Sequence, residues 1–548
     1  MKSVGFKNFR NFEEFPMLPV GGVTFLVGQN NSGKSTFTKA FRFLSENMEK
    51  CCGNWFSVDT GTTKTPLVSF ASTCKSYERA LFAGHNGDME FYCSVLDFNI
   101  SIKLATPVEN ENQKIHDRVK LSYISIEDIE NDFIWSCDFT THQTTLDYSG
   151  RLLSNMLRYV ESEFREKNKV FRFDIFIKGD EKIREKIKKG SGLSDETFEN
   201  MLQSYKDKLQ QFQYEAAQYA AIEKRERITI EKQYQIQNPL DMSSHYFTLK
   251  NGDMALYDFD GLLQDEIIDC TDTKYEDAEA FLRDCEAFFR HEYTKLLAAV
   301  TSAKVVYCAA HESPLRSFFE REDISDDYAS SLIQQFFNSE YYKRRKKWIC
   351  RWMQELKIGM NFEIRLVNSE FLGVEITNME GYVTPLSDLG RGSVQLFLML
   401  LRVSLLERDV DIEKRDWEID NGVYEYFVET EAIPRPLPTI IFEEPEQNLH
   451  PAMQSKLADL FAEIHKKYRY NVIVETHSEY MIRRTQALIA SGEIDFRKNP
   501  FRVYYFSRED GPKDMKYTPK GFFEESFDPG FYDTASELTL MVLKGKGL

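Results

Sequence analysis

No run of apolar residues in this 548-residue chain approaches the roughly 20 needed to cross a bilayer, and the first ten residues lack the apolar core of a signal peptide. Cysteine is thinly scattered. The nine residues form no CxxC pair, and none has a histidine at metal-ligand spacing, so the pattern reads as reduced thiols rather than a disulfide framework or a metal knot. The adjacent Cys51 and Cys52 read as two ordinary buried thiols rather than a redox pair. Net basic charge is also missing: at −18 the molecule as a whole is excluded as a non-specific nucleic-acid binder, although a local basic patch stays open. These absences lead us to expect a soluble, cytoplasmic protein without a membrane partner. With 42% hydrophobic and 14% aromatic residues, the chain can bury large cores and more than one domain.

What is present begins at Val23–Val27, an apolar run that turns through Gly28-Gln29-Asn30-Asn31-Ser32-Gly33 into Lys34-Ser35-Thr36 and a helical pattern. This GxxxxGK[ST] string reads as a phosphate-binding P-loop. Backbone N–H groups and the partial positive charge of a helix N-terminus converge on such a loop. Gly28 and Gly33 allow close approach, Lys34 reaches the β- and γ-phosphates, and Ser35 meets a magnesium ion. A glycine turn between two core elements is the plainer reading.

The rest of the chain divides by character. Ser3 to Phe15 reads as one strand that turns at Pro16 to Gly22, and Tyr92 to Leu104 alternates like a strand, so residues 1–124 read as an α/β N-terminal lobe that holds the P-loop, compatible with an ATP-binding core. From 125 to 299 the composition becomes charged, aromatic and helical. There Phe198, Leu202, Tyr205, Leu209, Phe212, Ala216 and Tyr219 step by four and three, the rhythm of a helical hairpin or short coiled coil, or of an amphipathic helix packed on the core. Residues 300–548 form a C-terminal lobe. Within it, Ala303 to Ala310 reads as a buried strand and Ser330 to Lys357 as one helix. That helix carries Lys343, Arg344, Arg345, Lys346, Lys347 and Arg351 among Tyr341, Tyr342, Trp348 and Trp352. Such a stretch either contacts a phosphate backbone and stacks a base, or is a solvated face with its aromatics turned inward.

Three further stretches carry chemistry. Leu389-Gly390-Arg391-Gly392-Ser393-Val394-Gln395 opens onto an apolar helix and is a second candidate anion loop. Thr439 to Phe442 is a buried strand that delivers Glu443 and Glu444 at its carboxyl end, where ligands collect in an open α/β sheet. Glu443 suits a magnesium shell, and Glu444 suits orienting or activating a water. Val472 to Glu475 is another such strand and ends at Thr476-His477-Ser478, placing a histidine where it can sense a γ-phosphate.

Taken in order, these motifs resemble the ABC-type ATPases found among SMC-like proteins and in the OLD (overcoming lysogenization defect) family. Phe6-Lys7-Asn8-Phe9-Arg10-Asn11-Phe12 is similar to their first strand, and Glu443-Glu444-Pro445-Glu446-Gln447-Asn448-Leu449-His450-Pro451 to their EEPExxLHP form. Thr476 to Arg484, Gln486 to Gly492 and Asp528 to Asp533 are similar to stand-alone ATPases of bacterial anti-phage systems such as Septu. The resemblance implies an α/β fold, with a mixed sheet flanked by helices as a P-loop ATPase core and an inserted helical or short coiled-coil subdomain. It assigns Gly28, Asn31, Gly33, Lys34, Ser35 and Thr36 to ATP and Mg²⁺, Glu443 to the Walker B position, Glu444 to the catalytic base and His477 to the switch. Gly390, Gly392, Ser393 and Gln395 become the signature presented to ATP on an opposite subunit, which implies a homodimer or a higher assembly.

Two departures from that family pattern imply slow turnover. The signature lacks the Leu-Ser-Gly-Gly form, and a Q-loop glutamine is not located. The roughly seventy residues after His477, below the usual size of a domain, carry no clear acidic strand-end cluster, which implies an effector on another chain. In related systems that effector is an HNH nuclease, and some add a reverse transcriptase with its retron DNA. The expectation is an ATP-hydrolysing regulatory subunit of a bacterial defence complex. The alternatives are an SMC-like DNA-repair or chromosome-maintenance ATPase, and a scaffold that binds ATP only to assemble.

Overall fold

The structure, a computed structural model, describes residues 1–53, 56–57, 62–63, 65–82, 88–106, 117–141, 143–169, 172–222, 224–231, 247–248, 278–309, 319–320, 328–339, 342–367, 371–406, 435–507, 511–529, 531–532, 538 and 540–542. Ala310, Tyr341, Gly530 and Asp533, which the sequence reading used, lie outside that set, as does Cys270 of the nine cysteines. Two sheets organise the chain around one helix.

The first sheet is antiparallel. Its β1 (Ser3–Phe9) and β2 (Phe12–Pro19) form a hairpin that turns at Arg10 and Asn11, so the single strand expected from Ser3 to Phe15 is two. Next, β3 (Val23–Gly28) leaves for the second sheet and runs through the P-loop into α1 (Lys34–Cys52). The antiparallel sheet continues with β4 (Met89–Val95), β5 (Phe98–Leu104), β6 (Arg118–Asp128), β7 (Phe133–Asp138), β8 (Gln143–Tyr148) and β9 (Glu226–Glu231) in the order β9-β8-β7-β6-β5-β4-β1-β2. Every second residue of β4 and β5 is buried, as expected for a sheet with one face on a core. The boundary drawn at residue 125 needs correction, because it falls inside β6, and β7 and β8 follow before the next helix. Their charged and aromatic composition masks a period-two alternation, in which Ile124, Ile126, Phe133 and Trp135 are buried.

Helices α2 (Gly150–Lys167) and α3 (Asp195–Ala220) then pair along their lengths, with the rings of Phe164 and Tyr205 stacked at 5.4 Å. All seven positions of the four-and-three rhythm in α3 are buried. Phe198, Leu202, Tyr205 and Leu209 form a separate cluster with Phe173 and Ile187, whereas Phe212, Ala216 and Tyr219 join the main core. One helix thus stands half on the core and half in a small lobe of its own. Against α2 and α1 lies α4 (Ala278–Ser302).

The second sheet is built from β10 (Val305–Cys308), β13 (Thr439–Glu443), β14 (Asn471–Glu475), β3, β15 (Phe501–Ser507) and β16 (Gly511–Asp514), in that spatial order and parallel except for β16. Before β13 come α5 (Tyr342–Glu355), β11 (Asn361–Val367), β12 (Phe371–Thr377) and α6 (Arg391–Leu405). After it come α7 (Pro451–Tyr468), then β14 and α8 (Glu479–Ala490). The helix expected from Ser330 to Lys357 is two, Tyr328–Phe337 and α5.

The parallel sheet is covered on both faces, which is why its strands read as continuous apolar runs. Leu26, Ile441, Ile473 and Tyr504 face α1 and the antiparallel sheet, whereas Phe25, Phe442, Val474 and Tyr505 face α6, α7 and α8. Cys51 and Cys52 are fully buried between these layers, and burial pushes the Cys51 thiol up to about 12, so neither supplies a thiolate. Among the described residues no helix is long and apolar enough to cross a membrane.

Candidate functional site

The carboxyl ends of β3, β14 and β13 lie side by side, so the three strand-end motifs meet at one edge of the parallel sheet. The P-loop turns there through three positive φ values, at Gly28 (144°), Asn31 (61°) and Gly33 (105°). Gly33 is required twice over: its φ disfavours other residues, and a Cβ there would come within 2.3 Å of the Phe12 ring. Phe12, from the opening Phe-rich hairpin, therefore forms the wall behind the loop. Lys34 is buried and folds back over it, its Nζ donating to the carbonyl oxygens of Gly28 at 3.0 Å and Gln29 at 2.9 Å. Burial lowers the Lys34 pKa, while Glu475, Glu444 and Glu446 act in the opposite sense.

On the acidic side, Glu443 ends β13 and is the register partner of Glu475 at the end of β14. Its Oε2 accepts the Tyr307 hydroxyl from β10, and the Arg42 guanidinium of α1 lies 3.9 Å above the Tyr307 ring. Glu444 donates its N–H to the Glu475 carbonyl at 2.8 Å and then turns at φ 42°. That turn brings the Glu444 carboxylate to the Gln447 amide on one oxygen and to 3.8 Å from His477 Nε2 on the other. Burial first and then Lys34 lower the His477 pKa, while Glu444 acts in the opposite sense.

Behind His477 lies Glu446, 8% exposed, whose Oε1 accepts both the Thr476 hydroxyl at 2.8 Å and the His477 N–H at 2.7 Å. Tyr532 packs beneath the same turn, with its hydroxyl 3.5 Å from the Ser478 carbonyl. Gly392, in the first turn of α6, meets the loop that follows Glu444. A Cβ there would lie 2.5 Å from the Asn448 carbonyl oxygen, so only glycine fits. Gly390 caps α6 and is exposed, with Ser393 and Gln395 half-buried on the same first turns.

Several participants escaped the sequence reading. The Glu475 carboxylate accepts the Ser35 hydroxyl at 2.6 Å and also the Thr38 hydroxyl. Like Glu443, it is a carboxylate closing an apolar strand, and that signal could have found it. Tyr307, Arg42 and Gln447 carry no comparable pattern.

The donor set fits a magnesium nucleotide. It offers a serine hydroxyl, the carboxylates of Glu443 and Glu444 and a lysine at the helix N-terminus, and among the described residues no group of three or more His, Cys, Asp or Glu could cage a metal. Mg²⁺ is held in this way, by one or two protein oxygens together with substrate phosphates and water.

In the basic stretch of α5 the tryptophans turn inward, so the base-stacking half of the first reading falls. Trp348 and Trp352 are buried, and the Trp348 indole donates to Glu463 at 2.9 Å, so neither ring can stack a base. Lys346 pairs with Glu363 at 2.6 Å, and Arg351 with Glu463. Lys343, Arg344 and Lys347 are exposed, and Arg345 is half-buried. The helical period places tryptophans four apart on the inner face, and the charges follow the remaining surface.

Among known proteins, the chain is similar to the Smc head domain with an extended coiled coil, bound to the C-terminal domain of ScpA, from Pyrococcus furiosus (11% identity over 99% of this chain and 98% of that one, TM-score 0.30). It is also similar to the Smc head domain with a coiled coil and joint from Pyrococcus yayanosii (12%, 95% and 97%, 0.32) and to the SMC head domain from Thermotoga maritima (11%, 92% and 94%, 0.28). No curated protein matches it significantly. A family profile described as AAA ATPase domain matches residues 1–482, the span that holds the P-loop, both strand-end carboxylates and His477, and the chain belongs to that family.

Proposed function

We propose that this protein binds and hydrolyses ATP between two copies of itself and acts as the regulatory subunit of an anti-phage complex, restraining or licensing a partner nuclease. The observation that carries the catalytic half is the meeting of Lys34, Ser35, Glu443, Glu444 and His477 at three adjacent strand ends. In this reading Lys34 leaves the Gly28 and Gln29 carbonyls for phosphate oxygens, and Ser35 and Glu443 hold Mg²⁺. Bound magnesium would neutralise charge on the phosphates. Glu444 takes the proton of the attacking water, and His477 beside it orients that water or reads the γ-phosphate.

Support for a second copy comes from Gly390, which caps α6 in the open and is accessible to a neighbouring molecule. Closure around ATP and reopening on hydrolysis would be the signal to the partner. An HNH-type nuclease, in some systems with a reverse transcriptase and retron DNA, is the partner class suggested by the resemblance of Thr476 to Arg484, Gln486 to Gly492 and Asp528 to Asp533 to stand-alone anti-phage ATPases.

Glu444→Gln tests the engine. The variant should bind ATP as the parent does, hydrolyse it about 10²–10⁴-fold more slowly, and run as a dimer in light scattering when ATP is present. Normal turnover would remove Glu444 as the base. The neighbouring reading frames test the partner: an HNH or reverse-transcriptase gene beside this one supports the defence reading, and recombination genes alone would transfer it to the second. That second reading, an SMC-like DNA-maintenance ATPase, draws its support from the α2–α3 pair, whose outer half stands in a lobe of its own.

A further inference from the structure

We propose that Glu475 is a positioning residue of the magnesium–ATP site, holding the Ser35 hydroxyl so that its oxygen lone pairs are presented to the metal. The inference rests on the ATP-site reading above and assigns to β14 a task expected of β13. Three observations carry it. First, β14 lies between the P-loop strand β3 and the acidic strand β13, so its last side chain is the carboxylate beside α1. Second, Glu475 is 2% exposed and takes a hydrogen bond on each oxygen, from Ser35 Oγ at 2.6 Å to Oε2 and from Thr38 Oγ1 to Oε1. Third, Glu443 has its Oε2 engaged by Tyr307, on the side away from the P-loop strand.

A hydroxyl has one hydrogen and two lone pairs, and only the lone pairs bind a cation. With its hydrogen committed to a carboxylate behind it, the Ser35 oxygen is oriented before the metal arrives. Ser35 is itself exposed, and Glu475 is not. Such partners behind a ligand raise its basicity and hold its direction, and their removal typically costs 10–100-fold in metal affinity. Thr38, one turn further along α1, occupies the second carboxylate oxygen and stops the carboxylate from rotating. A purely structural glutamate would be replaceable here by its neutral isostere, since glutamine keeps an acceptor of the same size and removes a charge that is costly to bury.

The test titrates a fluorescent ATP analogue against the full-length protein, with Mg²⁺ varied and with EDTA. Glu475→Gln should bind the metal-free nucleotide within about twofold of the parent, yet need at least about tenfold more Mg²⁺ to reach its tight state. In turnover the deficit should appear in kcat at low Mg²⁺, and it should shrink at high Mg²⁺. Glu475→Asp, which retains the charge, should recover part of the Mg²⁺ response, and thermal melting should show both variants folded. A parental Mg²⁺ requirement in Glu475→Gln, the mark of a merely structural residue, overturns the proposal, and so does equal weakening with and without Mg²⁺. Lys34→Ala separates the two levels of inference. If it leaves nucleotide binding intact, the ATP-site reading fails; if it abolishes binding while Glu475→Gln is silent, only the role of Glu475 fails.

Discussion

Glu446→Ala should uncouple the Thr476-His477 turn from the loop that follows β13. A single oxygen of this buried side chain accepts the Thr476 hydroxyl and the His477 N–H at 2.8 and 2.7 Å. Each bond to a carboxylate contributes about 1.5–3 kcal/mol, so the pair is worth about 3–6 kcal/mol before offsets. Two offsets apply. Burial raises the Glu446 pKa, so removing the group relieves a desolvation cost. The Thr476 hydroxyl also keeps its bond from the Ser478 N–H at 2.9 Å and can turn toward another acceptor.

We therefore expect a net loss of about 2–3 kcal/mol in equilibrium urea unfolding followed by tryptophan fluorescence. Glu446→Gln, which retains one acceptor oxygen, should lose about half of that. The catalytic consequence follows from geometry. With its N–H released, His477 no longer holds its 3.8 Å approach to Glu444, while the Lys34 contacts to Gly28 and Gln29 are untouched. The kcat for ATP should fall at least about tenfold with KM little changed. Parental stability together with parental kcat in Glu446→Ala would refute the reasoning.

Two other expectations are readily checked. Glu292 on α4 is buried beside Asp128 and Lys295, and burial pushes its carboxyl up to about 7. Because the folded value lies above the unfolded one near 4.3, its contribution to stability is present below that unfolded value and is lost as pH rises through about 7. The parent should thus lose about 1–3 kcal/mol between pH 5.5 and 8.5, and Glu292→Gln should flatten that profile in urea titrations at each pH. On α5, replacing the exposed Lys343, Arg344 and Lys347 with serine should weaken binding to duplex DNA at low salt and reduce the slope of log affinity against log salt by up to about three. Because Trp348 is in the core, stacking plays no part, and an unchanged filter-binding isotherm would remove α5 as a nucleic-acid surface.

Local pattern carried much of this molecule. A loop whose glycines, lysine and serine sit at set offsets between an apolar run and a helix is legible because one turn of backbone dictates all of its residue types. The same holds for Glu443-Glu444 after Thr439 to Phe442, and for His477 after β14. Segments with mixed signals were harder. Residues 125–128, 133–138 and 143–148 are strands whose charge disguised their alternation, and α5 kept its tryptophans inside although its sequence also suited a phosphate backbone.

Spacing within the chain was enough for the P-loop pattern, for an apolar strand ending in Glu443-Glu444, for a histidine just past another apolar strand, and for a helix whose four-and-three rhythm is buried throughout. Tertiary structure alone decided which strand neighbours which, and with that the identity of the carboxylate behind Ser35. Glu475 lies 440 residues from Ser35 along the chain and 2.6 Å from it in space. Strand order in a parallel sheet is set by crossover packing on both faces, and no window of sequence encodes it.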